Sequence, residues 1–157
     1  MKPTKLAITT IIGYAWGLPK PSLQLQDNFD EPKDYGWCID LAGWGDTLQI
    51  DVIQAHSCKP DDIPYTDQQF YPVKNSIVGY GLAKGLCLKA KSDEAGSELT
   101  TAKCDLDDDL QDICWQEDGT LRLNDDELDK CIVSADGEMR DIIGLYKARD
   151  MTLESCD

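Results

Sequence analysis

The stretch CIDLAGWGDTLQIDVIQAHSC, from Cys38 to Cys58, begins and ends on cysteine. Asp40 stands two residues after the first cysteine, and His56, the only histidine of the chain, two residues before the second. Its two arms are rich in apolar and β-branched residues, and a glycine-containing loop, AGWGD, separates them, the pattern of two short strands joined by a turn. Such a segment suits a charged loop, half a metal site or a ligand pocket equally well. Its recurrence decides the fold.

Two more cysteine-led strands follow at a similar period: LCLKAKS from Leu86 and KCIVSAD from Lys130, echoing WCIDLAG from Trp37. Each precedes a second β-leaning run that closes on cysteine, DVIQAHSC at Cys58, ELTTAKC at Cys104 and DMTLESC at Cys156. The like-ordered pairs are therefore Cys38 with Cys58, Cys87 with Cys104 and Cys131 with Cys156, and Cys114 is left over. After the closing cysteines of the first two units stands an aromatic, Phe70 in DQQF and Trp115 in DICW, and then a further strand, SIVGYG from Ser76 and GTLRLND from Gly119. No long stretch carries helical periodicity, and Gly, Pro, Asp and Asn mark the breaks. The chain reads as all-β. Three units are too few for a propeller, but three hairpin-like units can close a small barrel and remove exposed sheet edges.

The 157 residues suit one domain with a core, 18–157, behind a leader, 1–17. That leader has two lysines, an apolar run and Ala15-Trp16-Gly17 as a small-x-small cleavage site, so it reads as a secretory signal; an N-terminal strand is the alternative. Seven cysteines behind an export signal point to disulfides of an oxidising compartment, hence a secreted protein. The net charge of −15 repels nucleic acid and anionic membrane, leaving neutral or cationic partners, and no segment has the length of a membrane span.

These units resemble the ricin B-type lectins, whose fold is the β-trefoil with a Gln-x-Trp motif in each of three repeats. The resemblance runs from about Leu23 to the end, with repeats near 22–75, 76–118 and 119–157. The first unit carries most of it: Cys38 to Asp40, Ile53 to Cys58 with His56 in an aromatic slot, and Gln68-Gln69-Phe70 as Gln-x-Phe. The second keeps Ile113-Cys114-Trp115 and an Asp118-Gly119-Thr120 turn, and in the third the sequence reaches Asp157 before a Gln-x-Trp strand, so the trefoil is expected to be incomplete there. The resemblance implies a non-catalytic carbohydrate-binding module taking galactose or N-acetylgalactosamine. Carried over residue by residue, it implies a sugar site at Asp40, Gln54, His56, Asp67 and Gln68; His56 is a smaller platform than Trp or Tyr, and Trp44 in the neighbouring AGWGD loop is the alternative ring. A carboxylate accepts from vicinal hydroxyls, amides donate and accept, and a flat ring covers a sugar's apolar face. The corresponding slots hold Lys89, Thr100 and Ala102 in the second unit and Val133, Thr152 and Glu154 in the third, so one site per chain is expected.

Each residue has a plainer role available: Asp40 as a turn carboxylate, His56 as a surface histidine. Other chemistry finds less footing. No Gly-x-Ser-x-Gly elbow accompanies His56, no second histidine or Cys-x-x-Cys completes a metal site, and the acidic runs from Asp105 and Asn124 lack the glycine and glutamate of a calcium loop. No enzyme activity, metal or cofactor is expected. A trefoil without sugar sites that serves as an interaction or inhibitor scaffold, or an accessory domain of a larger glycan-active protein, is the competing reading. Oligomeric state and valency have no sequence signal.

Overall fold

The computed structural model describes residues 6–7, 22–25, 36–43, 45–59, 67–125, 128–134, 140–141 and 147–156. Trp44 and, apart from Leu6–Ala7, the leader 1–17 lie outside them. Among the described residues there is no α-helix; short 3-10 turns interrupt thirteen strands. These are β1 (Leu6–Ala7), β2 (Gln24–Leu25), β3 (Trp37–Ala42), β4 (Gln49–Ser57), β5 (Phe70–Val73), β6 (Ser76–Gly79), β7 (Leu86–Ala90), β8 (Ser97–Lys103), β9 (Ile113–Trp115), β10 (Leu121–Asp125), β11 (Leu128–Ser134), β12 (Arg140–Asp141) and β13 (Lys147–Ser155). The sheet runs β1-β2-β3-β4-β13-β8-β7-β6-β5, with β9, β10 and β11 joined to β13 through β11. It is an antiparallel sheet curled into a half-barrel.

Three bridged hairpins organise this sheet. Cys38–Cys58 ties β3 to the end of β4, Cys87–Cys104 ties β7 to the end of β8, and Cys131–Cys156 ties β11 to the end of β13. The three bridges fit an oxidising compartment. In each hairpin the amide of the closing cysteine donates to the carbonyl two residues before the opening cysteine: Cys58 to Gly36, Cys104 to Gly85 and Cys156 to Asp129. Registers match as well, with Asp40 opposite Gln54, Lys89 opposite Thr100 and Val133 opposite Thr152.

The same periodicity builds the core. The residues after the opening cysteines, Ile39, Leu88 and Ile132, are buried, as are Ile53, Leu99 and Met151, which stand at equivalent positions of the second strands opposite Leu41, Ala90 and Ser134. Each such side chain contributes about 2 kcal/mol on leaving water. Between them the second strands meet: β13 pairs with β4 and with β8, and Thr100 Oγ1 of β8 donates to the Asp51 carbonyl of β4 at 2.7 Å. Strand β3 is buried along its whole length, on both faces, and Arg149 of β13 lies over the Trp37 ring, 5.2 Å from its centroid. Just after β3, Gly43 adopts φ +88°, and a Cβ there would stand 2.1 Å from the Thr47 carbonyl oxygen, so the turn demands glycine.

Candidate functional site

The expected residues of the first unit converge. Pairing of β3 with β4 sets Asp40 beside Gln54, and Gln54 Nε2 donates to Asp40 Oδ1 at 3.0 Å. The turn before β5 returns Asp67 and Gln68 to the same place, where the Leu41 amide donates to the Asp67 carbonyl. A residue without any motif then completes the cluster. Lys59, the first residue after the closing cysteine, donates from Nζ to Asp40 Oδ2 at 3.1 Å and also to Asp67 Oδ2.

Gln68 has a different occupation from Asp40. Its Oε1 accepts from the Lys59 amide at 2.9 Å and its Nε2 donates to the Ser57 carbonyl at 3.1 Å, so it staples the chain on both sides of Cys58. With the proton on Nδ1, His56 donates to the same Ser57 carbonyl at 2.8 Å. His56 is buried, not a surface histidine, and its ring is packed into the cluster. Asp40, at 1% exposure, is the most enclosed member. Burial holds its carboxyl above the usual aspartate range, outweighing the pull of His56 and Lys59 toward the charged form. Asp67 Oδ1 is buried with no hydrogen-bond partner among the described residues.

The second unit keeps the staple and loses the rest. Gln111 Oε1 accepts from the Asp105 amide at 3.1 Å and Nε2 donates to the Lys103 carbonyl at 3.1 Å, flanking Cys104 as Gln68 flanks Cys58. The Gln-x-aromatic position is therefore Gln111-Asp112-Ile113, two residues ahead of the Ile113-Cys114-Trp115 expected from the sequence. Ile113, buried at 1%, takes the place of Phe70. In the Asp40 slot Lys89 reaches Asp108 at 2.6 Å, and that hydrogen bond holds the Asp108 carboxyl below the usual range. Next to this pair lies a cleft of about 210 Å³ lined by Lys74, Asn75, Asp105, Asp108, Gln111 and Asp112 among others.

Cys114 is the unbridged cysteine, half-buried, with its thiol pushed up by burial and by Asp112. Among the described residues, no cluster of three or more His, Cys, Asp or Glu side chains is placed to hold a metal ion, and no helix is long and apolar enough to cross a membrane. No family model, curated protein or solved structure matches this chain.

Proposed function

We propose that the chain is a secreted, non-catalytic carbohydrate-binding module, a β-trefoil of the ricin B-type, with one site for a galactose-type sugar in its first hairpin unit. What supports the reading is that Asp40, Gln54, His56, Asp67 and Gln68, scattered along the chain, come together around Lys59 and the Ser57 carbonyl in one hydrogen-bonded cluster, in which Asp67 Oδ1 has no hydrogen-bond partner among the described residues. Asp67 Oδ1 supplies the open acceptor for a ligand hydroxyl, Asp40 supplies a second where Lys59 gives way, Gln54 fixes the Asp40 carboxylate, and Trp44, outside the described residues, is the candidate ring. The trefoil assignment is supported by three bridged hairpins with matching registers and by the twin staples at Gln68 and Gln111. Val133 and Lys89 in the Asp40 slot keep the other units structural.

Calorimetric titration with galactose and N-acetylgalactosamine tests the proposal. One sugar binds per chain in the millimolar range, about −4 kcal/mol. Asp40→Asn, nearly isosteric, abolishes binding while leaving the three disulfides and the β-type circular dichroism in place, and Lys89→Ala leaves binding unchanged. Binding retained by Asp40→Asn, or two or three sugars per chain, overturns it. The enclosure of Asp40 by Lys59 favours a second reading, in which the cluster is a structural ion pair and the module is an interaction scaffold; no sugar bound at any concentration is its expected outcome.

A further inference from the structure

Asp40 offers no open acceptor to an incoming molecule. Gln54 takes Oδ1 at 3.0 Å and the Lys59 ammonium takes Oδ2 at 3.1 Å. The same ammonium bonds Asp67 Oδ2, and the partner oxygen, Asp67 Oδ1, meets no donor among the described residues. Two buried carboxylates thus share one cation, with an acceptor to spare. Such an arrangement is a receptor for a charged donor with additional hydroxyls nearby, and Lys59 fills the charged half of that description from within the chain.

A ligand that reaches Asp40 takes the place of the Lys59 ammonium. A neutral sugar in that place leaves two carboxylates side by side in a buried site with His56 alone of the two positive neighbours to offset them, a costly state. A sugar that brings its own ammonium keeps the balance while its hydroxyls reach Asp67 Oδ1. Lys59 is also the most exposed of the three, with its side chain 12% exposed against 1% for Asp40 and 7% for Asp67, and it sits just beyond the end of β4. The surrounding net charge of −15 draws cations toward the protein.

We propose that Lys59 is a built-in stand-in for a ligand's ammonium, and that this site takes a sugar with a free amino group in preference to a neutral or N-acetylated one. The inference rests on the carbohydrate reading above. Titrating the full chain with galactosamine, galactose and N-acetylgalactosamine tests it. Galactosamine binds about tenfold more tightly than the other two, the ratio one net charge-assisted hydrogen bond supplies. Lys59→Met, which removes the internal competitor, tightens galactosamine binding further, and Lys59→Arg, which keeps a cation in place, does not. Should Lys59→Met fail to fold, the comparison among sugars in the unaltered protein decides alone. Equal affinity for the three sugars, tighter binding of N-acetylgalactosamine, or a folded Lys59→Met with unchanged galactosamine affinity overturns the inference. If galactose still binds in an Asp40-dependent way in such a case, the carbohydrate reading stands and only the amine preference falls; no binding by any of the three sugars defeats both.

Discussion

The first and second hairpin units share a frame and invert its chemistry. Gln68 and Gln111 clasp the backbone around Cys58 and Cys104 through the same atoms. Opposite that shared clasp, Asp40 is enclosed and receives Lys59, whereas Lys89 is half-buried and reaches out to Asp108. The slot that holds a buried carboxylate in the first unit holds a half-buried ammonium in the second. The glutamine belongs to the scaffold, and the residue two after the opening cysteine is where units diverge.

Breaking the two ion pairs separately exposes the difference most strongly. Asp40→Ala removes the buried acceptor of Gln54 Nε2 and one of the two carboxylates on Lys59, which keeps Asp67, and costs about 1–3 kcal/mol, the penalty for losing a buried hydrogen-bond partner. Lys89→Ala costs about 0–1 kcal/mol, as expected for a pair in contact with solvent. Urea unfolding of the two variants measures both, and equal losses would erase the distinction between the units.

The staples should behave alike. Gln68→Ala and Gln111→Ala each free a buried backbone donor and acceptor, and each costs about 2 kcal/mol. Thermal melts that spare one variant while damaging the other would show that the two glutamines carry different loads.

The smallest effect is a difference in sign with pH. Asp40 has a folded pKa above its ordinary 3.8, so its contribution is fully present below that value and is lost as pH rises through the folded pKa. Asp108 has a folded pKa below 3.8, so its contribution is present above that value and is lost as pH falls through the folded pKa. On acidification from about pH 7, the melting temperature of the unaltered protein minus that of Asp40→Asn rises, while the same difference for Asp108→Asn holds and then shrinks below 3.8. Parallel trends would remove the inversion.

Much of this frame was legible in the residues. The cysteine spacing gave the three bridges, and the offsets from each cysteine placed Asp40, Lys89 and Val133 in one slot and Gln54, Thr100 and Thr152 in another, because strand register carries sequence offsets directly into space. The second staple was misplaced because Trp115 drew the aromatic position toward itself, while the buried residue after Gln111 is the aliphatic Ile113. Gln111 itself was the available signal. Lys59 left none: it lies outside any alternating pattern, and its partners Asp40 and Asp67 are brought to it by a strand pairing and a turn, which no local spacing encodes.

The position of β13 bears on the order in which this molecule assembles. That strand, near the C-terminal end, pairs with β4, β8, β11 and β12, and so joins hairpins made much earlier in synthesis. The bridges span separations of only 17, 20 and 25 residues, each inside its own hairpin. Short loops close at small entropic cost, and distant contacts wait for the chain between them. On an emerging chain the first two hairpins can form before the third, but the sheet has no central strand until Lys147–Ser155 arrives. A nascent chain stalled before that strand is a pair of cross-linked hairpins in search of a common neighbour.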